Sequence, residues 1–570
     1  MPLNPFRISR DRTTMLCAWA FFAICAWFTA WQEPQLEQRL FVLALMFCVL
    51  GAALFVFARL AFALVFSSGL FLLLRAITVL KQEYLESPLM PADFVYYIHS
   101  SLFETLRRYP NIYSVGICVG IAVPIVLWLA WHYDRRLFAK LRLLPQAALR
   151  VSGIAICVLA FWACLLPAGP FAQVHARGAW EKMSDDAALT NFFVNLRDSS
   201  VHLPAMASDA DAARDWQSTN TTTPGTTDAS QYPDIVQVLE ESTFDPAPYM
   251  HCTVPECHLD MFKPDAMTRG TGVMRVHTFG GGTWVSEFAA LTGMPQDIFG
   301  PGGMYAPYVL APRVRDSLPL QLKRLGYTTV AIYPTNGVFL NGHDAYKAYG
   351  VDHFYGAHEL GLDDWDETDA QMFTAAKRVY DQLKKPGQPI FIMVLTINQH
   401  GPHDDPMSTL PKQFQNLLQG LPDATALNFD TYLQRLHDSD VAMKGLEHDF
   451  LDRAQPTVLV HFGDHQPSFD DLMRTLPRTL PSELVPYQDY LTYYMIKSNV
   501  PGAALPKYPM LDIAHLPGMV LKASGLPMDP YFTALTSLRE RCNGLYADCA
   551  NKDLVKSYYA WIFNRLRVYQ

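Results

Sequence analysis

The sequence predicts two unlike parts: an N-terminal α-helical transmembrane bundle of about five spans, and a C-terminal α/β domain with a mainly parallel sheet flanked by helices. Three observations carry this expectation. Half of the 570 residues are hydrophobic and only 17% are charged, against roughly 25% in a soluble domain, and the apolar excess lies before about residue 170. From Asp234 onward, apolar runs rich in β-branched residues alternate with helical patterns, as in βαβ units. Between the parts, Ala205–Gln231 is a Ser/Thr/Ala/Asp segment without apolar periodicity, which reads as a linker. The division implied is an anchor over 1–170, a linking region over 171–231 and a globular domain over 232–570, long enough for a large buried core.

Charge and composition exclude several classes. With 45 Lys+Arg against 54 Asp+Glu the net charge is −9, and no long basic run is present, so no nucleic-acid partner is expected. Gly 32 and Pro 40 are too few for a low-complexity or collagen-like chain.

The spans read as Thr14–Trp31, Leu40–Ala58, Leu60–Leu80, Ile112–His132 and Arg150–Pro167, each near the ~20 residues needed to cross a hydrocarbon core as a helix. The second and third nearly touch at Arg59 and must form a tight hairpin. Arg7, Arg10 and Arg12 precede the first span, and Arg135, Arg136, Lys140 and Arg142 lie between the fourth and fifth. Placing both groups in the cytoplasm fits the four crossings between them and sends the globular domain to the outer side; Arg107 and Arg108 count mildly against this. The first span fits a retained anchor better than a cleaved signal peptide. Ionisable residues within spans, the usual mark of an ion path, are nearly absent, with Arg75 near a helix end. The bundle therefore reads as an anchor rather than a channel. Pro91–Tyr109 fits either an amphipathic helix on the membrane surface or a plain loop.

Six cysteines (17, 25, 48, 118, 157 and 164) lie in spans, where a small apolar residue suffices. The other four form two close pairs, Cys252/Cys257 and Cys542/Cys549, read as short-loop disulfides of an oxidising compartment. A zinc site involving His251 and His258 is the rival, but metal-site spacing is usually tighter.

In the globular part, Asp234–Leu239, Thr328–Tyr333, Ile390–Leu395, Thr457–Phe462 and Tyr490–Ile496 read as strands. Trp284–Leu291, Leu318–Leu325, Thr368–Lys384 and Phe429–Asp452 read as helices. Ligands of such sheets sit outside the carboxyl ends of the strands. There the chain offers Glu240-Glu241-Ser242-Thr243, Gly463-Asp464-His465 and Thr396-Ile397-Asn398-Gln399-His400-Gly401-Pro402-His403. Carboxylate and imidazole ligands without thiolate suit Mn²⁺ or Zn²⁺. Phe279-Gly280-Gly281-Gly282-Thr283 adds a glycine run that lets backbone approach an anion, with Thr283 expected as the N-cap of the next helix and Glu287 in its first turn. Helix N-termini favour phosphate, although Thr283 as a plain cap is the simpler alternative.

These residues resemble a family. The EEST, GGGTWVSEF, NGHDAYKAYGVDHFYG, TINQHGPH and HFGDHQPS segments, with the tail Leu511–Leu526 and Tyr531-Phe532, are similar to the lipoteichoic acid synthase/phosphoglycerol transferase group. These are membrane-anchored relatives of sulfatases and alkaline phosphatases, and the layout of five spans, linker and outer domain is similar too. The resemblance implies an alkaline phosphatase/sulfatase-like fold and a metal set of Glu241, Thr283, Asp464 and His465, with Thr283 also the catalytic nucleophile and Glu240 the less favoured neighbour of Glu241. It implies one divalent cation, manganese first, with zinc or magnesium as alternatives. His400 matches a histidine that contacts substrate phosphate, and His403 is a second candidate for steadying oxygen charge or moving protons. The family's aromatic-Trp-Asn-Arg-Asp run is missing; Asn341 and His343 are the substitutes expected to contact substrate.

The activity implied is transfer of a phospholipid headgroup, phosphoglycerol from phosphatidylglycerol, through a phospho-threonine enzyme onto an envelope glycan or glycolipid. The setting implied is a bacterial inner membrane with the catalytic domain in the periplasm; a Gram-positive surface is the alternative. Phosphoethanolamine transfer from phosphatidylethanolamine is the enzymatic runner-up, disfavoured because Gln466-Pro467 follows Asp464-His465 where Gly-Glu is usual. A true sulfatase would need a C/S-x-P-x-R motif, which Gly282–Ser286 is not. A non-catalytic polysaccharide-binding or assembly module is the alternative from a different class.

Overall fold

Among the described residues, five helices are long and apolar enough to cross a membrane: Thr13–Trp31, Leu36–Phe57, Leu60–Lys81, Gly116–Tyr133 and Leu143–Cys164. They make the chain an integral membrane protein, as the apolar runs predict. The computed structural model describes residues 5–85, 89–100, 110–139, 141–176, 187–196, 201–222, 231–469 and 472–570. It divides into two units, Met1–Ser200 and Val201–Gln570.

In the first unit the tight hairpin is made at Ala58, whose φ of 54° closes helix Leu36–Phe57 in the left-handed conformation, with only Arg59 between it and the start of helix Leu60–Leu85. Arg59 donates to the carbonyls of Trp131 and Asp134 and stacks 4.5 Å over the Trp131 ring. The fifth span starts earlier than expected, at Leu143. Arg150 lies inside that helix and donates to Phe55 O (2.8 Å), a free carbonyl in the last turn of a neighbouring helix, where a cation is favoured. Pro91–Tyr109 is helical over Asp93–Ser100, with Asp93 paired to Lys81 at 2.8 Å; 101–109 lie outside the described residues.

The segment 171–231 is not simply a linker. Helix Ala188–Asn195 is buried along its whole length in the first unit, its N-terminus held by Glu33, which accepts from the N–H groups of Leu189 (3.1 Å) and Thr190 (3.3 Å). Helix Asp209–Trp216 belongs to the second unit. Ser208 caps it by accepting from Asp211 N (3.2 Å), and two aspartates in its first turn suit the dipole. Ala212 and Trp216 face the core one turn apart, too few residues to register as periodicity. Trp216 is fully buried against Tyr558, and its indole N–H donates to Ser557 Oγ at 2.9 Å. Trp216→Ala is expected to cost about 3–5 kcal/mol, read as a lower unfolding midpoint, while the exposed Asp209→Ala should change it by less than about 1 kcal/mol.

The second unit is built on one eight-stranded sheet: β1 (Asp234–Glu240), β2 (Thr268–Arg275), β3 (Thr328–Ile332), β4 (His353–Tyr355), β5 (Ile390–Leu395), β6 (Thr457–Gly463), β7 (Leu491–Ser498) and β8 (Leu511–Asp512). The order is β4-β3-β5-β1-β6-β7-β2-β8. The first five in that order are mutually parallel; β7 is antiparallel to β6 and to β2, and β8 is parallel to β2. Strands β1, β5 and β6 are buried on both faces, which is why they read as continuous apolar runs. Strand β2, missed in the sequence, carries two glycines and is half-exposed, so neither composition nor alternation marks it.

Asp234 anchors the buried amino end of β1, accepting from Lys384 Nζ and Tyr380 OH (2.6 Å each) and Ile390 N (3.0 Å). With β1 between β5 and β6, three functional strand ends stand side by side. Two disulfides tie loops of this unit, Cys252–Cys257 and Cys542–Cys549, with Cα–Cα distances of 5.7 and 5.0 Å. The sulfurs are spent on each other rather than on zinc.

Candidate metal centre and nucleophile

Glu241 stands one residue past β1, and Asp464 and His465 just past β6. Their ligand atoms lie within 4.8 Å of one another, and all three residues are buried. His465 Nε2 is 3.4 Å from Glu241 Oε1 and 3.3 Å from Asp464 Oδ2. The neighbouring backbone holds the carboxylates in place. Asp464 Oδ1 accepts from Ser242 N (2.7 Å) and His465 N (2.8 Å), Ser242 Oγ donates to Glu241 Oε1 (2.9 Å), and Glu241 N donates to Thr396 Oγ1 (3.2 Å). Ser242 and Thr396, which the sequence reading did not single out as site residues, therefore aim the set.

Thr283 joins it from another element. Three consecutive glycines at φ 68°, 152° and 87° carry the chain through conformations closed to side-chain residues. Gly280 N donates to Gln466 O (2.9 Å), tying the loop to the residue after His465. Gly282, not Thr283, is the N-cap; Thr283 is the first residue of helix Thr283–Thr292. Its hydroxyl is thus released from capping and donates to Glu241 Oε2 at 2.8 Å. Glu287 lies beyond the first turn, buried on the same face of the helix as Thr283.

The electrostatics call for a cation. Burial, and then the charge of Glu241, push the Asp464 carboxyl well above the usual range. Burial likewise pushes Glu287 up to about 8, with the charges of Asp464 and Glu241 adding. Asp464 Oδ2 and His465 Nε2 are buried without a hydrogen-bond partner among the described residues. His465 Nδ1 lies 3.0 Å from Gln466 O, so the proton belongs on Nδ1 and the Nε2 lone pair turns toward the carboxylates, the arrangement of a metal-ligating histidine. The orphaned atoms are the donor atoms a divalent ion would take, and the residues fit one. Glu240 is not among them. Strand alternation turns it to the other face, where Thr396 Oγ1 donates at 3.4 Å and burial with the Asp369 charge raises its carboxyl well above the usual range.

The substrate candidates fare differently. His400 is half-buried, with Nδ1 2.8 Å from Gly401 O and its ring edge-on to Trp365; Nε2 makes no hydrogen bond among the described residues. His403 sits differently. It is buried against Tyr432 and Phe469, its Nε2 lies 2.9 Å from Gln399 O, and burial holds its pKa near 3. A neutral, packed imidazole fits a structural role better than the proton-moving or charge-steadying role expected of it. Asn341 donates to Pro307 O (3.0 Å) from a left-handed backbone (φ 58°), so its amide serves the fold. His343 is exposed beside Asp344 at 3.2 Å. His400→Ala is expected to lower turnover about 10²-fold, as for a lost charge-stabilising or proton-transfer group. His403→Gln should change turnover less than stability; initial rates beside unfolding midpoints check both.

Comparison with known proteins places this geometry. The family model described as Sulfatase matches residues 233–507. An uncharacterized protein of Haemophilus influenzae is 27% identical over 572 residues, covering 93% of this chain and 95% of the relative. A putative cyclic β-1,2-glucan modification protein of Rhizobium meliloti is 27% identical over 407 residues, 68% of this chain and 60% of that protein. Among solved structures, the phosphoglycerol transferase GacH of Streptococcus pyogenes, in complex with sn-glycerol-1-phosphate, aligns with a TM-score of 0.49 at 16% identity over 64% of this chain and 95% of that one. Residues 233–507, which hold most of the parallel sheet and the acid–histidine cluster at its strand ends, thus match a sulfatase family model, in a chain that also has five helices long and apolar enough to cross a membrane.

Proposed function

We propose that the protein is a metal-dependent transferase that moves a phospholipid headgroup, phosphoglycerol from phosphatidylglycerol, through a phospho-threonine intermediate onto an envelope glycan or glycolipid. The observation that carries the reading is Thr283 Oγ1 held 2.8 Å from Glu241 at the start of a helix, beside the buried Glu241–Asp464–His465 set. These four residues would hold the ion, manganese being the first choice for oxygen and imidazole donors. A divalent ion there lowers the pKa of a bound hydroxyl and neutralises charge on a phosphodiester.

The chain's own residues supply the rest. Glu241 orients the Thr283 hydroxyl and accepts its hydrogen bond. The Thr283 oxygen attacks phosphorus while the bond to the diacylglycerol oxygen breaks, and diacylglycerol leaves with a proton. The helix N-terminus and the glycine-loop amides stabilise the phosphoryl oxygens. An acceptor hydroxyl then attacks the phospho-threonine, and Thr283 regains its proton. His400, whose Nε2 makes no hydrogen bond among the described residues, is assigned to phosphate contact. A lipid donor accounts for the membrane helices, and the glucan-modification relative supports a glycan acceptor. The basic residues around the spans and the two disulfides support an inner-membrane location with the catalytic domain in the periplasm.

The test supplies detergent-purified full-length protein and Mn²⁺ with phosphatidylglycerol and phosphatidylethanolamine of different acyl masses, and reads diacylglycerol by mass spectrometry. Release from phosphatidylglycerol supports the reading. Release from phosphatidylethanolamine alone moves the donor to the competing lipid. Release from neither, with metal bound and a glycan acceptor present, favours the non-catalytic module.

A further inference from the structure

The geometry points to His277 as a positioning residue for Thr283: a doubly protonated imidazole, gripped by Asp297 on one side and Asp512 on the other, that fixes the backbone run leading into the glycine loop. The inference rests on the proposed transferase reading for its kinetic consequence, but not for its structural one.

His277 is buried two residues past the end of β2. Its Nδ1 lies 2.8 Å from Asp297 Oδ2, and its Nε2 lies 3.1 and 3.2 Å from the two oxygens of Asp512. The imidazolium donates to a carboxylate from each ring nitrogen; Arg275 Nη1 also lies 3.3 Å from Nε2, and its charge opposes the second proton. Arg275 completes the cluster, bonded to Asp512 (3.1 Å) and Asp548 (3.0 Å) and lying over Tyr487. The cations Arg275 and His277 thus meet the anions Asp297, Asp512 and Asp548, with His515 and Tyr559 the other titratable groups that act on them. Burial alone would lower the His277 pKa, but the charges of Asp297 and Asp512 outweigh it and hold it at about 9. Both aspartates are correspondingly lowered.

The grip ties three elements together. Asp512 ends β8 and caps the following turn by accepting from Ala514 N (3.1 Å). Asp297 lies in the short helix Gln296–Phe299, from which Gln296 Nε2 also donates to His277 O (3.2 Å). Val276 N donates to Tyr490 O, and Gly280 N to Gln466 O, both at 2.9 Å. The chain from Val276 to Gly280 is therefore pinned at consecutive points, and Thr283 follows three residues later. Glycines at 280–282 have no side chains to hold themselves in place, so the site depends on what grips the chain just before them.

Because its pKa is raised on folding, this imidazolium stabilises the fold fully below its unfolded value near 6.5 and loses that contribution as pH rises through about 9. The test compares wild type, His277→Gln and Asp297→Asn as full-length, metal-loaded protein. Hydrogen exchange over residues 276–283 at pH 7.5 is one readout, and kcat and KM for phosphatidylglycerol against pH are the other. His277→Gln should expose the loop amides to faster exchange and lower kcat about tenfold with KM unchanged, leaving no further fall near pH 9. Asp297→Asn, which keeps the ring and removes one anion, should move the wild-type fall in kcat to lower pH by about one unit. Unchanged loop protection in His277→Gln, or an alkaline fall that Asp297→Asn does not move, overturns the inference. If the wild type turns over no lipid but His277→Gln still loosens the loop, the transferase reading fails and the positioning role stands.

Discussion

Thr283→Ala is expected to lower headgroup transfer by about 10⁴-fold or more, the scale seen when a covalent nucleophile is removed, while leaving the protein folded and metal-loaded. The hydroxyl donates to Glu241 Oε2 and also lies against Asp464, and its loss costs about 1 kcal/mol of stability. Glu241, Asp464 and His465 remain to hold the ion. The measurement pairs diacylglycerol release with metal content by mass spectrometry and with the thermal midpoint. Transfer that survives the substitution at more than a few per cent would place the nucleophile elsewhere. Loss of metal along with activity would mean that the ion depends on Thr283 as much as on Glu241, Asp464 and His465.

Asp464→Asn is expected to weaken metal binding more than about 100-fold, since even residues that only support a metal ligand are worth 10–100-fold, and to abolish transfer with it. The asparagine carbonyl can still accept from Ser242 N and His465 N, so the local backbone keeps its anchor. The informative sign lies in the metal-free state. There wild-type Asp464 is a buried acid that must take up a proton to sit beside Glu241, and asparagine escapes that cost, so the metal-free variant should be at least as stable as metal-free wild type. Added metal should stabilise the wild type far more than the variant, by about 2.7 kcal/mol at a hundredfold excess over the wild-type Kd, read as a raised midpoint.

Glu287 adds a pH signature to the metal-free protein. Its folded pKa is raised to about 8 from a reference of 4.5, so the folded state keeps a proton that the unfolded state releases. Stability is therefore greatest below about 4.5 and falls as pH rises toward 8. Glu287→Gln should flatten that part of the curve. An unchanged slope in urea unfolding would show that the carboxyl is not protonated in the fold.

Legibility in the sequence followed the range of the interaction. The five spans, the core strands β1, β5 and β6 and the two cysteine pairs were readable because each is a local pattern of apolar runs or close spacing. The helix ending in Trp216 was not, because eight residues with one turn of apolar contact carry too little periodicity, and its burial depends on Ser557 and Tyr558 far along the chain. Strand β2 escaped because its glycines and half-exposed faces lack strand composition. His403 looked equivalent to His400, three residues away; only the packing of Tyr432 and Phe469 around it made it a core residue.

The candidate site divides the same way. The sequence by itself determined which chemical groups are present at strand ends: the acids at 240, 241 and 464, the histidines at 400 and 465, and the hydroxyl after three glycines. Resemblance supplied their expected roles. Which of those groups meet was decided only by tertiary structure. The strand order that seats β1 beside β6 brings Glu241 to Asp464 and His465 across more than two hundred residues of chain, and strand alternation selects Glu241 over Glu240. The left-handed Gly282 moves Thr283 from the capping position into the helix, freeing its hydroxyl for Glu241. The reason is physical: propensity and periodicity act over a few residues, whereas a metal centre is assembled from side chains whose proximity exists only once the sheet has closed its long connections.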